Sequence, residues 1–281
     1  MKLSIAAQLL LAASAVAAPS GHGLTSRVSR RTGRGVERLT HPKIPAPALT
    51  GDEKSRIEQA NRTHVDYSSN WGGAVLTAPP SGTTFTSVSA QFTVPTPQLP
   101  SGATADSSAS AWVGIDGDTY SAAILQTGVD FTISTAGDVS YDAWYEWFPD
   151  YAYDFSGIDI SAGDVIQVSV SSSSSSAGTC VIENLTSGQQ VSQDLTAPSS
   201  DSNLGGQNAE WIVEDFDSNG SQVPFANFGT IQFTNSAAGV SDGSTVGTDG
   251  ADVLDIQQNN VVLTDVEVPS SSEVDVTYTG P

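Results

Sequence analysis

Apolar and polar residues alternate with a period of two along much of the chain beyond residue 62. Val88, Ala90, Phe92 and Val94 take every second position between mostly polar neighbours; Ile166, Val168 and Val170 do the same, as do Val274, Val276 and Tyr278. Successive side chains of an extended chain point to opposite faces, so this spacing predicts strands with one face buried. Turn-forming clusters at 79–82, 100–102, 217–220 and 241–244 separate such runs. The serine run 171–176 lies between two strand-like stretches and reads as a hairpin connection or an exposed strand end. No amphipathic helical repeat is evident, and the pattern predicts an all-β fold, an antiparallel β-sandwich or barrel.

The amino-terminal part of the chain follows other rules. An apolar run, Leu9–Ala18, follows Lys2 and ends in small residues, which predicts a signal peptide over 1–18 and a secreted, extracellular product. The run is shorter than the roughly 20 apolar residues that span a bilayer, so no membrane association is expected. Residues 19–62 then hold nine of the ten Lys and Arg, whereas none lies between Thr63 and Pro281, where 27 of the 31 Asp and Glu are found. A basic stretch beside an all-acidic domain predicts a propeptide over 19–62 and a separate acidic domain over 63–281. Such a domain would repel nucleic acid. The segment is expected to inhibit the domain near neutral pH and to release it in acid, when carboxylates lose charge and Lys and Arg keep theirs. Arg30–Arg31 and Arg62–Thr63 are candidate processing sites.

Elimination narrows the chemistry. His22, His41 and His64 are the only histidines, so from Val65 onward there is no Ser-His-Asp or Cys-His catalysis and no histidine metal site. Lysine is absent there too, which removes Schiff-base and Ser-Lys mechanisms. Cys180 is the only cysteine; it cannot form an internal disulfide and reads as a buried core thiol. Carboxylates remain as general acids and bases. The paired Asp-Thr-Gly or Asp-Ser-Gly turns of a two-aspartate protease are missing. A two-carboxylate glycosidase and a hydrolase pairing one carboxylate with a neutral donor both stay open. Aromatics stand beside acids in 111–118 and 141–148, as a cleft floor or a plain sheet core would have them. Asn61, Asn184 and Asn219 open N-glycosylation sequons.

Six stretches carry a resemblance: Ser69–Val75, Ala111–Asp118, Ala123–Asp130, Tyr141–Trp147, Asn184–Gly188 and Asn208–Phe216. In this order they resemble the glutamic peptidases, or eqolisins, secreted acid proteases of filamentous fungi. The resemblance implies a sandwich of two curved antiparallel sheets with the cleft on one face. It implies an endopeptidase acting on protein and peptide substrates, with Gln126 as oxyanion donor and Glu214 as general base, and with Glu210 outside the catalytic pair. Trp71, Trp112, Asp116, Trp144 and Glu146 match positions that resemble cleft-lining, substrate-binding residues. Neither a cofactor nor a metal is implied, and a monomer is expected. Some relatives carry disulfides, which this chain cannot. A glycoside hydrolase with paired carboxylates is the alternative enzyme; a non-catalytic carbohydrate-binding module is the alternative without chemistry.

Overall fold

The computed structural model describes residues 38–47 and 65–281. The expected signal peptide, the remainder of 19–62 and the Asn61 sequon lie outside the described residues.

Two large sheets pack face to face. The first runs, in hydrogen-bonded order, Val261–Val262, Asp252–Gln258, Trp71–Leu76, Ala209–Glu214, Ser107–Ile115, Ile124–Ile133, Val139–Phe148 and Tyr153–Asp154. The second runs Gln189–Thr196, Ala177–Asn184, Val165–Ser174, Phe85–Thr93, Thr230–Val240, Glu273–Tyr278 and Thr264–Ser270. All neighbours along these two orders are antiparallel; Val65–Ser68 adds to Asp252–Gln258 in parallel. The helical content of the described residues is one 3₁₀ turn, Ser200–Ser202.

The second sheet is built as the alternation predicts. Val88, Ala90 and Phe92 are buried, as are Ile166, Val168 and Val170 opposite them in register, while the residues between face outward. The serine run ends Val165–Ser174 and turns into Ala177–Asn184. The first sheet differs: Ser107–Ile115 and Ala209–Glu214 are buried at every position. Their inner side chains, among them Val113, Trp211 and Val213, join the core between the sheets. Their outer side chains meet a second cluster of Trp71, Trp112, Trp144, Ile124, Ile212 and Leu254. The Cys180 thiol lies in the inner core against the Gln126 carbonyl, 3.4 Å away.

Close packing of the outer cluster depends on Gly128, paired with Trp112 on one side and Trp144 on the other. A methyl group there would stand 2.3 Å from the Ala111 carbonyl oxygen and 2.5 Å from Trp112 Cβ. Gly128→Ala is therefore expected to lower stability by about 1–3 kcal/mol, since both neighbours are held by the sheet. Urea midpoints measured for the two proteins check this.

Asn184 is buried, and its amide donates to the Asp159 carbonyl and the Asp164 carboxylate at 3.0 and 2.8 Å. A glycan on that nitrogen would replace one of its two hydrogens and so remove one of these bonds. Asn219, at the tip of the hairpin between Asp217–Ser218 and Ser221–Gln222, is exposed.

Candidate active site

The outer face of the first sheet forms a cleft floor, and residues 38–47 of the chain lie in it. Arg38–Leu39 pairs antiparallel with Asp217–Ser218, adding a third strand to the 217–222 hairpin. Farther along, the Lys43 N–H donates to the Gly117 carbonyl at 3.0 Å, and Pro45 bridges to Ser68. Arg38 and Lys43 are the Lys and Arg of the described residues. Each forms an ion pair with a carboxylate of the acidic domain, Arg38 with buried Asp130 and Lys43 with Asp118. The Arg38 guanidinium also stacks on Phe216, 3.5 Å from the ring centroid.

Between these two anchors the segment crosses the residues singled out by sequence. The backbone N–H of His41 donates to Glu214 Oε1 at 3.2 Å. The residue before it, Thr40, receives the Gln126 side-chain amide on its hydroxyl. Glu214 and Gln126 thus address adjacent residues of one extended chain. Gln126 is opposite Glu146 on the neighbouring strand, and Glu146 Oε2 accepts the Thr40 hydroxyl at 2.6 Å. The Trp112 indole N–H holds Glu214 Oε2 at 3.0 Å, and Trp112 packs edge-on against Trp71, ring centroids 5.0 Å apart. Trp144 donates to Ser110, which in turn donates to Asp130 at 2.8 Å.

Asp116 does something else. It sits at φ 70° just beyond the strand Ser107–Ile115, and its two oxygens accept the backbone N–H groups of Gly205, Gly206, Gln207 and Asn208. Its carboxylate anchors that loop. Sequence reasoning passed over Asn70, Asp130 and Asp118 as site residues. The Asn70 amide donates to Glu214 Oε1 and to the His41 and Pro42 carbonyls, each at 3.3 Å, and its oxygen accepts the Ile44 N–H. All three fall inside the quoted motif stretches, which was the signal available for them. Among the described residues no three His, Cys, Asp or Glu side chains gather as a metal site.

The electrostatics follow from burial. Desolvation pushes the Glu214 carboxyl well above the usual carboxylate range; hydrogen bonds from His41, Asn70 and Trp112 oppose this, and the charge of Glu146 adds to it. Glu210, four residues back on the same strand, is pushed well up by burial and then by Asp116 and Asp118. Among the described residues neither of its oxygens has a hydrogen-bond partner. Burial also raises Asp116, and it pushes Asp215 up to about 8. A carboxyl whose pKa is higher folded than unfolded stabilises the fold below its unfolded value, near 4, and that contribution is lost as pH rises through the folded value. Denaturant midpoints are accordingly expected to fall from acid to mild alkali, through about pH 8 for Asp215. Glu210→Gln, which cannot ionise, should make that decline shallower; an unchanged slope would remove Glu210 from this account.

Residues 69–278 match the model of the peptidase A4 family. The chain is 45% identical to Aspergillopepsin-2 of Aspergillus niger over 96% of both proteins. It is 42% identical to Scytalidopepsin B of Scytalidium lignicola, over 99% of this chain and all of that one. Among solved structures, scytalido-glutamic peptidase with a transition state analog inhibitor superposes with a TM-score of 0.65 at 42% identity, covering 75% of this chain and 98% of that one. Aspergilloglutamic peptidase from Aspergillus niger gives 0.58 at 55% identity, covering 62% and 99%.

Proposed function

Because this chain belongs to the peptidase A4 family, we propose that its endopeptidase chemistry is carried by Glu214 as general base and Gln126 as oxyanion donor, in a secreted enzyme that works in acid. The observation that carries this reading is the placement of a peptide nitrogen, His41 N, on Glu214 while Gln126 reaches the residue just before it. Glu214 takes a proton from water as the water oxygen attacks the carbonyl carbon. The Gln126 amide donates to the oxygen that becomes negative, and being neutral it does so at any pH. Glu214 then returns its proton to the departing nitrogen, the group it already holds in this structure. The cycle needs neither an acyl-enzyme nor a metal.

Residues 38–47 are read as the enzyme's own inhibitor, part of a propeptide over 19–62. They lie across the dyad, and their two cations meet carboxylates of the domain. The solved relatives bear on substrate class: scytalido-glutamic peptidase is seen with a transition state analog inhibitor, and an eqolisin with the tripeptide Ala-Ile-His.

The test is incubation of the secreted protein, at acid pH, with a denatured protein and with plant polysaccharides. Cleavage of the protein is expected. Cleavage of polysaccharide alone would replace this reading with the glycosidase one.

A further inference from the structure

The Thr40 hydroxyl stands where two buried side chains converge. Gln126 donates to it, and it donates to Glu146 Oε2 at 2.6 Å, an oxygen that the Thr40 N–H also approaches at 3.4 Å. Gln126 and Glu146 are cross-strand partners on the cleft floor, each with no exposed surface. The sheet therefore fixes this point, and a hydroxyl on a tetrahedral carbon occupies it. We propose that Glu146 is a third catalytic residue, which as a neutral carboxylic acid donates a hydrogen bond to the substrate oxygen alongside Gln126. The inference rests on the dyad reading above.

The Thr40 hydroxyl accepts from Gln126 and donates to Glu146. A substrate carbonyl in the same place, and the oxyanion it becomes, can only accept. Ionised Glu146 at that distance would repel the growing negative charge, whereas the protonated acid supplies a second donor in a dry site. Two carboxyls in one buried site do not both ionise readily, and Glu146 is close enough to raise Glu214. The Cys180 thiol of the second sheet lies against Glu146; the same row across the first sheet carries Glu210 beyond Gly114 and Gln126; His41 follows Thr40 in the seated segment; and farther along the two strands stand Asp130, paired with Arg38, and Asp142. Arg38, the permanent cation in this set, is committed to Asp130.

The step balances with one shared proton. Water attacks carbon, its proton passes to Glu214, and the carbonyl π pair moves to oxygen, where Gln126 and Glu146–H hold it. On collapse that pair re-forms the carbonyl, the C–N bond breaks, and the Glu214 proton goes to nitrogen. Glu146 ends as it began.

The test uses acid-treated full-length protein and a fluorogenic peptide, with kcat and KM followed across pH for Glu146→Gln and Glu146→Leu. Glu146→Leu, which keeps no donor, should lose about 10²–10³-fold in kcat with little change in KM. Glu146→Gln keeps a donor that cannot ionise. It should stay within about tenfold of the parent in acid and lose the alkaline limb of the kcat profile, while the acid limb, where Glu214 ionises beside a still neutral Glu146, stays in place. A parent-like profile for Glu146→Gln, or loss as deep as for Glu146→Leu, would overturn the proposal. Parent-like kcat in Glu146→Leu would do so too. Glu214→Gln run in parallel separates the two readings: if it is inactive while Glu146→Leu is active, only this inference fails. If Glu146→Leu does not fold, as judged by circular dichroism, the alkaline limb of Glu146→Gln decides alone.

Discussion

Glu214→Gln and Gln126→Ala are each expected to cut peptide hydrolysis by at least about 10²–10³-fold while the protein still folds. The Glu214 side chain is placed by three donors, Trp112, Asn70 and the His41 backbone, and packing around it comes from the tryptophan cluster. The glutamine amide has the same size and keeps one accepting end, but its NH2 end meets a donor where the carboxylate accepted, and it cannot take a proton from water. Gln126 is held from behind through its main chain, which pairs with both neighbouring strands and receives the Cys180 thiol. Removing its amide takes away a donor without removing the strand. Turnover measured on a fluorogenic peptide in acid, with folding checked by circular dichroism, is the deciding experiment; near-parental rates in either variant would rule out this dyad.

A peptide covering residues 38–47 is expected to inhibit the processed enzyme near neutral pH and to lose affinity as pH falls. Arg38→Ala in that peptide should weaken binding by about 2–5 kcal/mol, because Asp130 would be left buried without its partner. Lys43→Ala should cost less, since Lys43 is more exposed than Arg38. The sign with pH follows from the pairing: in acid the carboxylates lose their charge and the guanidinium keeps its own, so attraction decays. Raised salt should weaken the Lys43 contact more than the buried Arg38 one. Isothermal titration across the acid range measures all of this. Affinity that rises on acidification, or is indifferent to Arg38, would leave the segment as a linker.

How much of this was legible depends on which sheet one considers. The second sheet has one face in the core and one in water, so its strands write their burial as alternation, and Phe85–Thr93, Val165–Ser174 and Glu273–Tyr278 could be read directly. Strands covered on both faces lose that signature. Ser107–Ile115 and Ala209–Glu214 are covered outside by the tryptophan cluster, and their period is correspondingly faint. Candidate site residues came from motif resemblance, which could not separate Glu146, in the cleft, from Asp116, engaged by the 205–208 backbone. The charge imbalance pointed to the basic segment as a whole. Its register, with Thr40 and His41 on the dyad, is a matter of shape that composition does not encode.

The seat of residues 38–47 also makes the chain a reporter of its own state. A protease that cuts only after Lys or Arg has no bond to attack from Thr63 to Pro281. Within the described residues its targets are the bonds after Arg38 and Lys43, and both side chains are drawn into ion pairs while the segment is seated. Trypsin would therefore leave the sandwich whole under all conditions, and its rate of cutting at these two bonds would measure how often the segment leaves the cleft.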